Sequence, residues 1–151
     1  MCYSCAVKPG RKSVEFSAGG VVVRGEEVIV IVPVKRDSHG ERVLGLPKGH
    51  PDGSEHPEAA AAREVREETG VQAQLIEPLG EVEYAYECGE RPVRKRVAFY
   101  LFEYRSGDLA DHDQEIEDAR WMPLEQAARC LTYAGEREMV TRALSRSAPG
   151  R

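Results

Sequence analysis

Three carboxylates pose the first chemical question. Glu64, Glu67 and Glu68 stand at i, i+3 and i+4, a spacing that places all three on one face of a helix. Like charges so placed oppose one another by roughly a few tenths of a kcal/mol per pair. A hard divalent cation is the natural occupant of a crowded set of oxygen donors. The plainer reading is a solvated acidic face, balanced by i,i+4 pairing with Arg63 and Arg66. Ala60 and Ala61 flank the same face and are expected to leave room above it.

The loop ahead of that helix decides between the two readings. From Gly49 the chain reads Gly-His-Pro-Asp-Gly-Ser-Glu, then seven residues, then Arg-Glu-Val-Arg-Glu-Glu-Thr-Gly-Val. This resembles the Nudix box position by position, with Gly49, Glu55, Arg63, Glu64, Val65, Glu67, Glu68, Gly70 and Val71 in its fixed places. Residues 17–22 (Ser-Ala-Gly-Gly-Val-Val) look like the family's first core strand. Residues 119–127 look like its closing strand and the helix that follows, so the resemblance covers most of 14–144.

The resemblance implies a magnesium-dependent hydrolase that cuts a phosphoanhydride bond in a nucleoside diphosphate-linked compound. Glu64, Glu67 and Glu68 would ligate the metal (Mg2+, or Mn2+ in its place), and Glu64 or Glu67 would take the proton from the attacking water. The carbonyl of Gly49 would add a ligand. Arg63 and Glu55 would pair, holding the loop on the helix and orienting the carboxylates. Glu115, six residues before Trp121, falls where relatives place a further ligand or base. A diphosphate linkage repels nucleophiles until its charge is neutralised, and a carboxylate-held metal does this while activating water.

Pro47-Lys48-Gly49-His50 is similar to the form found in diadenosine tetraphosphate hydrolases, whereas mutator-type triphosphate pyrophosphatases commonly carry Gly at the place of Lys48. In that light Lys48 would neutralise a phosphate, and His50 would donate to one or stabilise the leaving group. Without it, Lys48 is surface charge and His50 makes a loop hydrogen bond. Lys95 or Arg94 would face the polyphosphate, Tyr86 would stack on a base, and Tyr133 would face the cleft. Tyr84, Tyr100 and Tyr104 read as packing residues. Three functions follow in order of expectation: cleavage of dinucleoside polyphosphates, removal of pyrophosphate from damaged or surplus nucleoside triphosphates, and nucleotide or ADP-ribose sensing with weak catalysis. The intact carboxylate set speaks against the last.

These residues need a scaffold. Residues 14–24 read as a strand interrupted by Gly19-Gly20, and 27–35 as a β-branched run. Pro57 suits a first helical turn, the alanines after it are strong helix formers, and Gly70 is a stop. Residues 72–86 and 93–104 read as strands joined by a turn at 89–92, with a short strand at 119–122 and helices at 123–131 and 135–144. The order predicts an α/β fold, a mixed sheet covered by helices on two faces in α/β/α layering, and the resemblance implies a Nudix-type α/β/α sandwich with the box as a loop-helix-loop motif.

A single domain over residues 13–146 is expected, with polar tails at 1–12 and 147–151. The net charge of −5 argues against a nucleic-acid polymer as partner and leaves a small anionic nucleotide open. No apolar run is long enough to span a bilayer and no signal-peptide core is evident, so no membrane partner and a cytoplasmic location are expected. The oligomeric state is not legible. Cys2 and Cys5 form a CxxC with no completing pair and read as free thiols, while Cys88 and Cys130 read as ordinary buried or semi-exposed ones.

Overall fold

The run Val-Ile-Val-Ile-Val is apolar at every position, which suits a strand covered on both faces. The computed structural model, which describes residues 13–88 and 91–146, places it as β2 (Glu27–Pro33) inside a six-stranded sheet. The other strands are β1 (Ser13–Arg24), β3 (Lys48–Gly49), β4 (Val71–Cys88), β5 (Arg91–Gly107) and β6 (Ile116–Pro123). Their order is β4-β5-β1-β2-β6, with β3 pairing β1. The long β1–β5 pairing is parallel and the rest are antiparallel, so the sheet is mixed.

One irregularity positions everything that follows. β1 and β2 pair only beside their turn, at Val23↔Val28 and Arg24↔Glu27, and then diverge. The segment 45–49 fills the gap. Gly45 and Ile31 exchange two backbone hydrogen bonds of 2.8 and 2.9 Å, and the N–H of Gly20 donates to the Pro47 carbonyl at 3.1 Å. β3 continues the contact as Gly19↔Lys48 and Ala18↔Gly49. The strands thereby fix the backbone of Lys48 and Gly49.

Helix α1 (Pro57–Thr69) covers one face of the sheet, and α2 (Leu124–Cys130) with α3 (Ala134–Arg146) covers the other. Val65 of α1 packs among Ala18, Val22 and Phe102. On the opposite face Leu124, Ala127, Met139 and Val140 pack on Val21, Val30 and Phe99. Burial of a side chain such as Phe99 or Phe102, both fully enclosed, contributes about 1.5–3 kcal/mol. This is the α/β/α layering that the pattern predicts.

α1 begins at Pro57 and ends at Gly70, which takes the left-handed conformation (φ 77°) and donates its N–H to the Arg66 carbonyl at 2.9 Å. A side chain there would be strained, so the stop is built into the sequence. The expectation for Ala60 and Ala61 is corrected. Both are fully buried against the sheet, so their small size lets the helix lie close to β1 and opens no space for a ligand. β6 starts earlier than the pattern suggests, and β5 already includes Arg91 and Pro92, which leaves Gly89 and Glu90 between β4 and β5. Cys130 is exposed and free. Cys2 and Cys5, and the side chain of Cys88, lie outside the described residues. Among the described residues no helix is long and apolar enough to cross a membrane.

Candidate active site

The centre of the site is Arg63, in the second turn of α1. Its guanidinium forks onto Glu55, with Nε and Nη2 donating to the two carboxylate oxygens at 3.0 Å each. Nη2 also donates to the His50 carbonyl at 2.9 Å, and Nη1 to Glu64 at 3.1 Å and Glu67 at 3.2 Å. Glu55 in turn accepts from the Asp52 N–H at 2.9 Å. One planar cation thus ties the loop, the helix and two of the three carboxylates together, a task that its rigid fork performs and an ammonium could not. The Arg63 contact holds the Glu55 carboxyl below the ordinary carboxylate range.

The three glutamates of the motif differ in setting. Glu64 is 13% exposed and Glu67 46%, and only Glu64 and Glu68 line the adjoining cleft. Burial raises the pKa of Glu68 to about 8, reinforced by Glu64 and Asp113 and opposed by Lys48. Burial also raises Glu64, with Glu67 and Glu115 adding to it against Arg63. Carboxyl groups are therefore crowded where water is scarce and ionisation is disfavoured, the condition that a bound cation relieves. Among the described residues no three His, Cys, Asp or Glu side chains already form a cation cage. Magnesium does not require one, because it is commonly held by one or two carboxylates together with substrate phosphates and water. The donor set fits such an ion.

Gly49 is a glycine for reasons of space. A Cβ at this position would overlap the Glu64 carboxyl group, so the backbone can lie against that side chain only without one. The neighbouring Lys48 N–H donates to Glu68 Oε1 at 3.1 Å. Two adjacent residues of β3 thus meet two carboxylates of α1.

The cleft has a volume of about 1350 Å³ and is lined by Tyr84, Lys95 and Tyr133, by Glu64 and Glu68, and by residues of the 34–38 loop. Gly49, Lys48, His50, Glu115 and Asp52 also line it. Other expected contacts are placed differently. The Lys48 ammonium lies 3.0 Å from Glu136 rather than in open solvent. Burial disfavours that ammonium, but Glu136, Glu68 and Tyr133 outweigh it and its pKa is raised. His50 Nδ1 sits 3.1 Å from the Phe16 carbonyl and 3.4 Å from the Ser17 hydroxyl, a hydrogen bond within the site's own framework. Arg94 is half-exposed, does not line the cleft and faces Glu83 at 3.9 Å. Of the two, Lys95 lines the cleft, as expected where adjacent strand residues point to opposite faces. Tyr86 pairs with Val93 through its backbone, and its side chain lies outside the described residues.

Two residues escape the sequence reading. Tyr84 lines the cleft, stands edge-on to Tyr133 with 5.5 Å between ring centroids, and donates its hydroxyl to Glu136 at 2.8 Å. Glu136 is fully buried. A signal for it exists: Glu136 occupies the same helical stripe as Met139, Val140 and Ala143, a charge where an apolar side chain is expected.

Comparison with known proteins agrees with this geometry. The NUDIX domain model matches residues 15–143. The chain is 35% identical over 131 residues to a protein of Mycobacterium tuberculosis bearing the mutator name MutT4, covering 83% of this chain and 53% of that protein. It is 37% identical over 101 residues to the 8-oxo-(d)GTP phosphatase of Mycolicibacterium smegmatis, covering 67% of this chain and 30% of that one. The chain therefore spans about half the length of the first relative and under a third of the second. Among solved structures, a MutT NUDIX hydrolase from Burkholderia pseudomallei superposes with a TM-score of 0.71 at 22% identity, over 87% of this chain and 98% of that one.

Proposed function

Because the chain belongs to the Nudix family, we propose that it hydrolyses a phosphoanhydride bond in a nucleotide substrate bound along the cleft. The observation that carries this reading is the pair Glu64 and Glu68, withdrawn from water at the cleft wall and backed by β3. When bound there, a divalent cation supplies charge neutralisation of the phosphates and activation of water. The chain's residues do the rest. Glu64, Glu68 and the Gly49 carbonyl are the donors for the ion. Glu64 is also the better placed of the two candidate bases, because it lines the cleft and is largely enclosed, whereas Glu67 does not line it and is half-exposed. Arg63 orients Glu64 and Glu67, and Glu55 fixes Arg63.

For the substrate, the 8-oxo-(d)GTP phosphatase relative favours a nucleoside triphosphate carrying an oxidised purine. A second reading, a dinucleoside polyphosphate such as diadenosine tetraphosphate, is favoured by the cleft itself. Its volume exceeds the roughly 300–1,000 Å³ usual for a small-molecule site, and Lys95 is among the residues that line it. A panel of triphosphates, oxidised triphosphates, diadenosine polyphosphates and ADP-ribose, resolved by chromatography of products, separates the two. Lys95→Ala is expected to raise KM more for a tetraphosphate-bridged substrate than for a triphosphate. Equal effects on both would remove the support for the second reading.

The buried carboxylate also sets a pH dependence. The folded-state pKa of Glu68 lies above the 4.5 of an ordinary glutamate. Its contribution to stability is therefore complete below about 4.5 and is lost as pH rises through about 8. In chelator, the melting temperature is expected to fall as pH rises from slightly acid to the alkaline side of that value. Since only the ionised carboxylate holds a cation, the rise in melting temperature on adding magnesium is expected to grow over the same range. A magnesium effect that does not vary with pH would contradict the placement of the ion at Glu68.

A further inference from the structure

We infer that Glu136 is a positioning residue for the candidate site, clamping the Leu46–Gly49 segment from below so that Lys48 and Gly49 meet Glu68 and Glu64. The inference rests on the nucleotide-hydrolase reading above. The carboxylate of Glu136 projects from the core-facing stripe of α3 and is fully enclosed. Three donors from two parts of the chain, the Leu46–Gly49 segment and β4, converge on it. The Leu46 N–H donates to Oε1 at 3.0 Å, the Tyr84 hydroxyl to Oε2 at 2.8 Å, and the Lys48 ammonium lies 3.0 Å from Oε2. Gly45 leaves the space this requires, since a Cβ there would stand 2.9 Å from Oε1.

The next links lead directly to the reactive groups. The Lys48 N–H donates to Glu68 at 3.1 Å, and Gly49 follows against Glu64. The strands on either side set the register of this segment, and Glu136 adds a hydrogen bond to its backbone and an ion pair to the Lys48 side chain. A buried ion pair is a poor device for stability, because apolar residues of similar volume often do as well or better. An ion pair on an otherwise apolar helix stripe is better explained by a need to hold the Lys48 segment in one place.

Two variants test this. Glu136→Gln keeps the volume and one acceptor while removing the charge. The double variant Lys48→Met with Glu136→Leu removes both charges together, which guards against unfolding caused by a single unpaired buried ion. For each, Mn2+ affinity is measured with no nucleotide present, and kcat, KM and melting temperature are measured separately. Both variants are expected to bind Mn2+ about 10-fold more weakly and to lose about 10–100-fold in kcat with KM little changed, the usual scale for residues that orient metal ligands. The double variant is expected to melt near the parent temperature. Loss of the Lys48 cation by itself would tighten Mn2+ binding, so weaker binding reports displacement of the ligands.

Parent-like Mn2+ affinity and kcat in either folded variant, whatever its melting temperature, would overturn the inference and leave Glu136 a structural residue. If Glu136→Gln does not fold, the double variant decides on the same criteria. A parent protein that binds Mn2+ yet hydrolyses nothing in the panel would refute the substrate reading while the Mn2+ measurement still judges Glu136.

Discussion

Glu68→Gln is expected to lower turnover by about 10²–10³-fold, the scale on which a preorganised electrostatic group contributes, while the protein becomes no less stable. The two halves of that result have separate causes. Glutamine matches glutamate in size and still offers an oxygen to the Lys48 N–H, which Glu68 accepts at 3.1 Å. It also removes a charge that burial disfavours, as the raised pKa of about 8 records. In chelator, at a pH near that value, the variant should therefore melt at or above the parent temperature. Glu67→Gln should also cost activity, but Glu67 is half-exposed and bonded to Arg63, so no gain in stability is expected there. Turnover unchanged by Glu68→Gln under saturating magnesium would remove it from the metal site. A variant that is both slow and unstable would instead mark Glu68 as structural.

Gly49→Ala is expected to lower kcat/KM by about 10²-fold, because the added methyl cannot share space with the Glu64 carboxyl group. Either Glu64 turns away or β3 shifts against β1, and a displacement on the order of 1 Å is sufficient for such a loss. Overpacking of this kind typically costs about 1–3 kcal/mol in stability, which thermal melting would register. The backbone of Gly49 is not left-handed, so strain in φ adds nothing and the effect reads the contact alone. A Gly49→Ala variant that preserves kcat/KM would show that Glu64 moves freely and that its position is not set by β3. The comparison is informative because Gly53, in the same loop, has open space around it, although its left-handed φ of 54° makes substitution there costly for a different reason.

The parts of the site legible in the sequence are those held within one stretch of chain. Glu64, Glu67 and Glu68 must recur at helical spacing, Arg63 must reach back to Glu55, and Pro57 and Gly70 must bound the helix between them. Each of these constraints is local, and the structure meets them with a cap and a set of hydrogen bonds. What is not legible depends on contacts between distant segments. Glu136 meets Leu46 across 90 positions and Tyr84 across 52, and no local pattern names those partners. The sidedness of Lys95 against Arg94 follows from the β4–β5 register, in which Lys95 pairs with Tyr84 and Arg94 with Ala85. The sequence misleads about Ala60 and Ala61, since small residues suit both an open surface and a close helix–sheet contact. The start of β6 escapes the pattern because Glu117 and Asp118 break its alternation. It is pairing with β2, from Pro33↔Ile116 onward, that makes these residues a strand.

The placement of a divalent ion beside Glu64 and Glu68 can be tested most directly by crystallography with Mn2+ and a slowly hydrolysed nucleotide analogue, using anomalous scattering to locate the metal. Anomalous density is expected between the analogue's phosphates and the Glu64 and Glu68 carboxylates, within coordination distance of the Gly49 carbonyl. A nucleotide seated in the cleft with Mn2+ elsewhere, or with no metal beside those two side chains, would contradict it.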